Sequence, residues 1–322
     1  NPTGTFQDRH GSFVVSRSLD VGENNIVMQS TGNTGISITY YSGLAGIKSY
    51  FFGSAISEYK LLMSEKRDTN KIVLIRGIQL DVKRYAERFA KLHGFPKVSP
   101  FHERCICNAT QAYEVFEHVE KGEMPMPDFY VQTIAAGMGP IGFYQGMRNL
   151  GEWKVFNGKI PRIVAIQISE FCPVMNAWES GKISIDSFEM PCYASDKPFE
   201  PTLHTTNAAK YYSPLRESLI ETKGIMSVVE PDYVRRHSYE FVKELNGAGY
   251  RLAKTERSAF IGYSGLVDLI ERRIIPKKSN VLLMVTGKGE GGKNIEADAI
   301  ISPDYDPAIL LRRLEKNERI RV

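Results

Sequence analysis

Apolar residues along this chain alternate between two regimes. Short apolar runs of strand length occur at 26–29, 46–52, 71–77, 129–134, 160–167, 226–229 and 280–285. Between them the spacing is helical, as in Phe6, His10, Phe13 and Val14, in Ile36, Tyr40 and Leu44, and in Ala112, Val115, Phe116 and Val119. The clearest stripe is Val82, Tyr85, Phe89 and Leu92, which Gly94 stops with Pro96 beyond it. Further helices are expected over 58–66, from Cys172-Pro173 through Trp178, over 231–245, and after Thr255. Strands alternating with helices at this spacing predict an α/β fold whose mainly parallel sheets are covered on both faces. Gly122-Glu123-Met124-Pro125-Met126-Pro127-Asp128 interrupts the pattern and predicts a boundary between a smaller domain, 1–121, and a larger one, 122–322. There is no internal repeat, low-complexity tract or heptad pattern.

Composition narrows the class without naming an activity. The chain has 322 residues, 42% hydrophobic and 24% charged, and a net charge of +4 from 41 basic and 37 acidic side chains. The charges are spread along the whole length, which argues against a nucleic-acid footprint. Arg312, Arg313, Lys316, Arg319 and Arg321 form the densest basic run, but Glu315 and Glu318 interrupt it, as in a solvated helix end. No apolar stretch reaches membrane-spanning length and none reads as a signal peptide. Cys105, Cys107, Cys172 and Cys192 have no framework spacing, so a reducing, cytoplasmic setting is expected. His102-x-x-Cys105-x-Cys107 lacks a second half at ligand spacing, and no metal site is expected there.

Four stretches carry chemistry. Asn1-Pro2-Thr3-Gly4 is a turn feeding a helix, and it places the amide of Gln7 in the first helical turn. Ser30-Thr31-Gly32-Asn33-Thr34-Gly35 links a strand to a helix, so its backbone N–H groups could hold a phosphate or a carboxylate, or simply cap the helix. Ala135-Ala136-Gly137-Met138-Gly139-Pro140-Ile141-Gly142 also joins strand to helix, and its glycines suit a phosphate cradle. Thr286-Gly287-Lys288-Gly289 ends the last apolar strand; a strand-ending turn explains Gly287 but not Thr286.

Asn1-Pro2-Thr3-Gly4-Thr5-Phe6-Gln7-Asp8-Arg9 resembles the active-site segment of the fold-type II pyridoxal-phosphate enzymes, the tryptophan synthase β family, with threonine synthase and cysteine synthase nearest. Nearly the whole chain follows that resemblance in order. It implies two domains with mainly parallel twisted sheets flanked by helices, and an active-site cleft on which Gln7, Asn33, Gly137 and Thr286 converge. It also implies strands before Asn1 and, with them, a missing N-terminal segment. Ser30, Thr31, Gly32, Asn33 and Thr34 match the motif that grips the substrate α-carboxylate, with Asn33 also toward the cofactor 3-hydroxyl. Ala136, Gly137, Met138, Gly139, Pro140 and Gly142 occupy the cofactor-phosphate loop, with Met138 and Gly139 where the family prefers glycine and a hydroxyl residue. Thr286 takes the position facing the pyridine nitrogen, and Glu256-x-Ser258-Ala259 borders the cofactor. Pyridoxal 5'-phosphate, an amino-acid substrate and a homodimer are implied; nucleic acid and membrane are not.

One position departs from that pattern. At Gln7 the family carries the lysine that holds the cofactor as a Schiff base and shuttles the α-proton. The lone pair of an amide nitrogen is delocalised, so Gln7 can do neither. Lys48, at a strand start, and Lys288, in the threonine turn, do not replace it by position. Two readings stay open: a threonine synthase-like protein for β/γ-elimination or replacement on an amino acid with its lysine substituted, or a lysine-less pseudoenzyme that binds an amino acid or phosphorylated ligand as a sensor or partner subunit.

Overall fold

The computed structural model describes residues 1–63, 65–98, 101–186, 198–205, 208–252, 256–287 and 293–322. In chain order the elements are α1 (Asp8–Asp20), β1 (Asn25–Gln29), α2 (Asn33–Ala45), β2 (Lys48–Ser54), β3 (Leu62–Met63), β4 (Asn70–Ile75), α3 (Gln79–His93), α4 (Phe101–Glu120), β5 (Phe129–Thr133) and α5 (Met138–Glu152). They continue with β6 (Arg162–Ile168), α6 (Pro173–Glu179), α7 (Ala208–Glu221), β7 (Ile225–Val229), α8 (Pro231–Gly247), α9 (Arg257–Glu271), β8 (Val281–Leu283), β9 (Lys293–Asn294), β10 (Ala299–Ile301), α10 (Pro307–Glu315) and β11 (Ile320–Arg321). No helix of the described residues is long and apolar enough to cross a membrane.

The chain forms two compact units, 1–103 with 289–322, and 104–288. The first is built on a sheet ordered β1-β2-β4-β10-β11, parallel throughout. Its strands alternate sides with the two-residue period of the pleat. Val27, Tyr50, Phe52, Val73 and Ile75 pack with Val82, Tyr85 and Phe89 of α3 and Leu310 and Leu314 of α10. Ile26, Met28, Phe51, Ile72 and Leu74 face the other way, onto Val14 and Val15 of α1 and Ile38 of α2. Burial on both faces is why these strands read as continuous apolar runs.

The second unit holds a parallel sheet ordered β7-β6-β5-β8. One face, with Phe129, Val131, Val164 and Ile166, meets Val234 and Phe241 of α8 and Phe260, Ile261 and Leu269 of α9. Tyr130, on the opposite face, packs with Ala112 and Val115 of α4 and Phe143 and Met147 of α5.

Two expectations are corrected. The boundary after Lys121 does not separate the units: α4 belongs with the second, and β10 and β11 return to the first sheet, where β10 pairs with β4. Segment 58–66 is not a helix but a 3₁₀ turn, Ala55–Lys60, followed by β3, because Leu62 and Met63 pair antiparallel with Asn294 and Lys293. Residues 192–197, Cys192 among them, and 206–207 lie outside the described residues; Pro201–Leu203 is a 3₁₀ turn and α7 begins at Ala208.

Candidate active site

In the first unit the opening turn is pinned by a buried carboxylate. The Thr3 amide donates to Asp8 Oδ2 (2.8 Å) and the Thr3 hydroxyl to Asp8 Oδ1 (2.6 Å). Gln7, half-buried, takes the N-cap position of α1; its backbone N–H donates to Thr5 Oγ1 (3.2 Å) and its backbone carbonyl accepts from Ser37 Oγ of α2 (3.2 Å). Helices α1 and α2 can approach because residue 11 is glycine, where an added Cβ would lie 2.1 Å from Ser37 Oγ. Residue 7 and the start of α2 are thereby held together within this unit. Asp8→Ala is expected to lower unfolding stability by roughly 1.5–3 kcal/mol, because the half-buried Thr3 donors lose a charged acceptor. An unchanged urea midpoint would show that Asp8 does not hold this turn.

The loop 30–34 leaves β1 and enters α2. Ser30 Oγ is buried and accepts from the Gly32 and Gly35 amides (3.1 Å each), so its acceptor capacity orders the loop itself. The first helical bond runs from the Ile36 amide to the Gly32 carbonyl (3.2 Å). The first-turn amides of Asn33 and Thr34 have no intrahelical partner and form the positive end of the helix. Thr31, Asn33 and Thr34 are half-buried beside them.

In the second unit β5 pairs with β6 on one side and β8 on the other, so the chain changes direction across the sheet between β5 and β8. In open α/β sheets ligands settle at such switch points, at the carboxyl ends of the strands. Residues 134–137 leave β5 there, and Thr286 lies just beyond β8. Gly137 adopts the left-handed conformation (φ +86°) as the N-cap of α5, with no side chain capping the helix. The first-turn amides of Met138 and Gly139 lack intrahelical acceptors, while Pro140 contributes no N–H. Ala136 and Met138 are half-buried; Gly137, Gly139, Pro140 and Gly142 are buried.

Beneath this turn lies a buried amide network that the sequence-based site omits. Asn108 Nδ2 donates to the Met138 carbonyl (3.2 Å), Gln111 Nε2 to Asn108 Oδ1 (3.3 Å), and the Tyr130 hydroxyl lies within hydrogen-bonding distance of Gln111 Oε1 (3.0 Å) and Gln132 Oε1 (2.5 Å). A Cβ on Gly139 would fall 2.1 Å from Gln132 Oε1, and one on Gly142 would fall 2.3 Å from Asn108 Cβ. Those two glycines therefore serve close packing. The available signal was Asn108 and Gln111 continuing the apolar stripe of α4, polar residues where burial was expected. One turn before Asn108, Arg104 has its Nε shielded from solvent without a hydrogen-bond partner among the described residues, and burial pulls its pKa down.

Thr286 is buried. Its Oγ1 lies 3.1 Å from Glu256 Oε1 and 2.9 Å from Ser258 Oγ, and the Ser258 hydroxyl donates to the same Oε1. Thr133 Oγ1, at the end of β5, donates to the Ser258 carbonyl (2.6 Å). Cys105 and Cys107 lie on α4, and burial pushes each thiol up to about 11.

The sequence pattern of the family described as "Pyridoxal-phosphate dependent enzyme" matches residues 1–287. The chain belongs to that family. It is 28% identical over 295 residues to a cysteate synthase of Methanosarcina mazei, covering 89% of this chain and 69% of that one. A threonine synthase of Methanosarcina acetivorans is 24% identical over 296 residues, covering 89% and 67%. Among solved structures, maize serine racemase superposes with a TM-score of 0.64 at 14% identity, over 97% of this chain and 83% of that one, a likeness of fold. Family members depend on pyridoxal phosphate, and the donors of the second unit fit it: an uncapped helix N-terminus suits a phosphate, and a buried hydroxyl at the adjacent strand end suits a ring nitrogen.

Proposed function

We propose that this protein is a threonine synthase-like pyridoxal-phosphate protein of the β/γ-elimination and replacement lineage, in which Gln7 withholds the amine that turnover requires. It binds the cofactor without a covalent bond and takes an amino acid with an anionic side chain. The observation that carries this reading is the pairing, at one switch point, of the uncapped α5 N-terminus with the buried Thr286 hydroxyl. A helix N-terminus alone would fit any anion; the second group fits a ring.

When bound, pyridoxal phosphate supplies an electron sink for charge developing at the substrate carbon. The chain's own residues do the rest. The Met138 and Gly139 amides hold the phosphate, Thr286 meets the ring nitrogen, and the Asn33 side-chain amide and the Thr34 backbone N–H offer donors to the substrate carboxylate. Arg104, a half-buried cation one turn before Asn108, suits an anionic group on the bound amino acid, and cysteate, which names one relative's product, carries a sulfonate. Gln7 neither attacks a carbonyl nor accepts an α-proton.

Calorimetry tests this reading directly. The protein is expected to bind pyridoxal phosphate saturably, and borohydride is expected to leave residue 7 without added mass. Asn33→Ala is expected to weaken amino-acid binding about tenfold, corresponding to roughly 1.4 kcal/mol. Unchanged affinity in that variant would remove the carboxylate role of this loop. One feature favours the cofactor-free alternative: Gly139 and Gly142 are accounted for by packing against Gln132 and Asn108. That alternative predicts no saturable cofactor uptake.

A further inference from the structure

We propose that the second unit carries a further binding site at the amino end of its sheet, for a small, singly charged anion with an aromatic or apolar body. The site lies apart from the residues assigned to the cofactor. Phe129 and Arg162 are the first residues of β5 and β6, and Pro276, Lys278 and Ser279 precede β8. These strands are parallel, so Gly137 and Thr286 follow their opposite ends. The five residues of β5 separate the two ends by roughly 16 Å, at about 3.3 Å per residue.

A cavity of about 770 Å³ opens at this end. Small-molecule sites occupy roughly 300–1,000 Å³ and combine apolar walls with a few polar groups. The walls here are Phe116 and Val119 of α4 with Phe129, Val155, Phe156 and Ile160. The loop after α5 builds one side. Its Val155 and Phe156 amides both donate to the Leu150 carbonyl (3.1 and 3.2 Å), and the Phe156 ring stands edge-on to Phe116 with 6.0 Å between centroids. Gly158 passes close to the Phe156 ring, where an added Cβ would lie 2.7 Å from it. Val155 lines the cavity yet is 54% exposed, which leaves apolar surface for a ligand to cover.

Charge decides what the cavity takes. Lys159, Arg162, Lys278, Glu120 and Asp128 line it. Two of them serve the fold. Arg162 Nε donates to the Lys223 carbonyl (2.8 Å) with its guanidinium over the Phe129 ring, and Asp128 Oδ2 accepts from the Asn280 amide (2.8 Å). Lys159, Lys278 and Glu120 have neither a hydrogen bond nor an ion pair among the described residues. Two uncommitted cations against one uncommitted carboxylate favour a single negative charge. A polyanion would meet Glu120, and a cation would meet both lysines. Both lysines are exposed, so each ammonium can reach a ligand while staying hydrated and its stem lies along the apolar wall.

The test is a fluorescence titration with anilinonaphthalene sulfonate and with phenylnaphthylamine, its neutral counterpart. Both dyes are expected to bind saturably, the sulfonate about tenfold more tightly. The double variant Lys159→Ala, Lys278→Ala is expected to lose that tenfold advantage and to bind the two dyes alike. Val119→Trp, which fills the cavity, is expected to lose saturable binding of both. Inorganic pyrophosphate, a polyanion without an apolar body, is expected not to displace the sulfonate. Unchanged sulfonate affinity in the double variant overturns the proposal, as does displacement by pyrophosphate. A dimer that either variant splits, seen by sedimentation, makes a second copy of this chain the occupant and overturns it as well. The double variant changes only exposed side chains, so it decides the matter even where Val119→Trp does not fold.

Discussion

Gln7→Lys is expected to convert non-covalent cofactor binding into a covalent attachment at residue 7. The backbone there is already fixed: the residue 7 carbonyl accepts from the His10 amide (3.0 Å), the Gly11 amide (2.8 Å) and Ser37 Oγ (3.2 Å). The substitution therefore changes the side chain without moving the turn that carries it. Partial burial at the start of α1 disfavours a charged ammonium, so the lysine is shifted toward its neutral, nucleophilic form. Added pyridoxal phosphate should develop visible absorbance, and borohydride should fix the cofactor mass to residue 7. A positioned proton acceptor is worth roughly 10²–10⁴-fold, so elimination from a β- or γ-activated amino acid should rise by about that factor over the present protein. A folded variant that takes up no cofactor would place the loop from Ala136 to Gly142 outside cofactor chemistry and favour the ligand-binding alternative.

Strands β1, β2 and β4 of the first sheet and β5 to β8 of the second were legible as apolar runs, most of them buried on both faces, and covering helices such as α3 keep one apolar stripe. β4 illustrates the first: all six residues are buried, so the run Ile72-Val73-Leu74-Ile75 needs no alternation to be recognised. α3 illustrates the second, with Val82, Tyr85 and Phe89 on one face and Gly94 left-handed at its end. Pairings distant in sequence were not legible. β3 and β10 are two and three residues long, and each is defined by a partner more than 200 positions away, Asn294 for Leu62 and Val73 for Ala299. A local reading of 58–66 sees only helix-compatible spacing, and a local reading of Gly122–Asp128 sees only a break.

The site was legible where backbone conformation leaves a sequence mark, as at the strand-to-helix turns 30–34 and 136–142. Its supporting polar groups were harder to see. Glu256 and Ser258 were recognised as a motif bordering the cofactor, but their shared contact with Thr286 depends on β8 lying beside β5, which no local pattern encodes. Ser30 shows the reverse. Its hydroxyl looks available in sequence, whereas in the fold it caps its own loop.

Gly137→Val is expected to destabilise the second unit strongly. Gly137 holds φ +86°, a conformation that a β-branched residue adopts only with strain of roughly 1–3 kcal/mol. An added Cβ would also lie 2.7 Å from Leu215 Cδ2, and Leu215 is fully buried in α7, so overpacking contributes a further ~1–3 kcal/mol. The sum is a large share of the roughly 5–15 kcal/mol that holds a domain folded. A double-mutant cycle with Leu215→Ala separates the two contributions: shortening Leu215 relieves the clash but leaves the backbone strain. The expected coupling is favourable, with the double variant less destabilised than the sum of the single ones, measured by urea midpoints. Because Gly137 aims the Met138 and Gly139 amides, the double variant should still lose affinity for pyridoxal phosphate even where its stability recovers. If Gly137→Val unfolded like the unsubstituted chain and bound the cofactor equally well, neither the left-handed turn nor the α5 N-terminus could be what holds the phosphate.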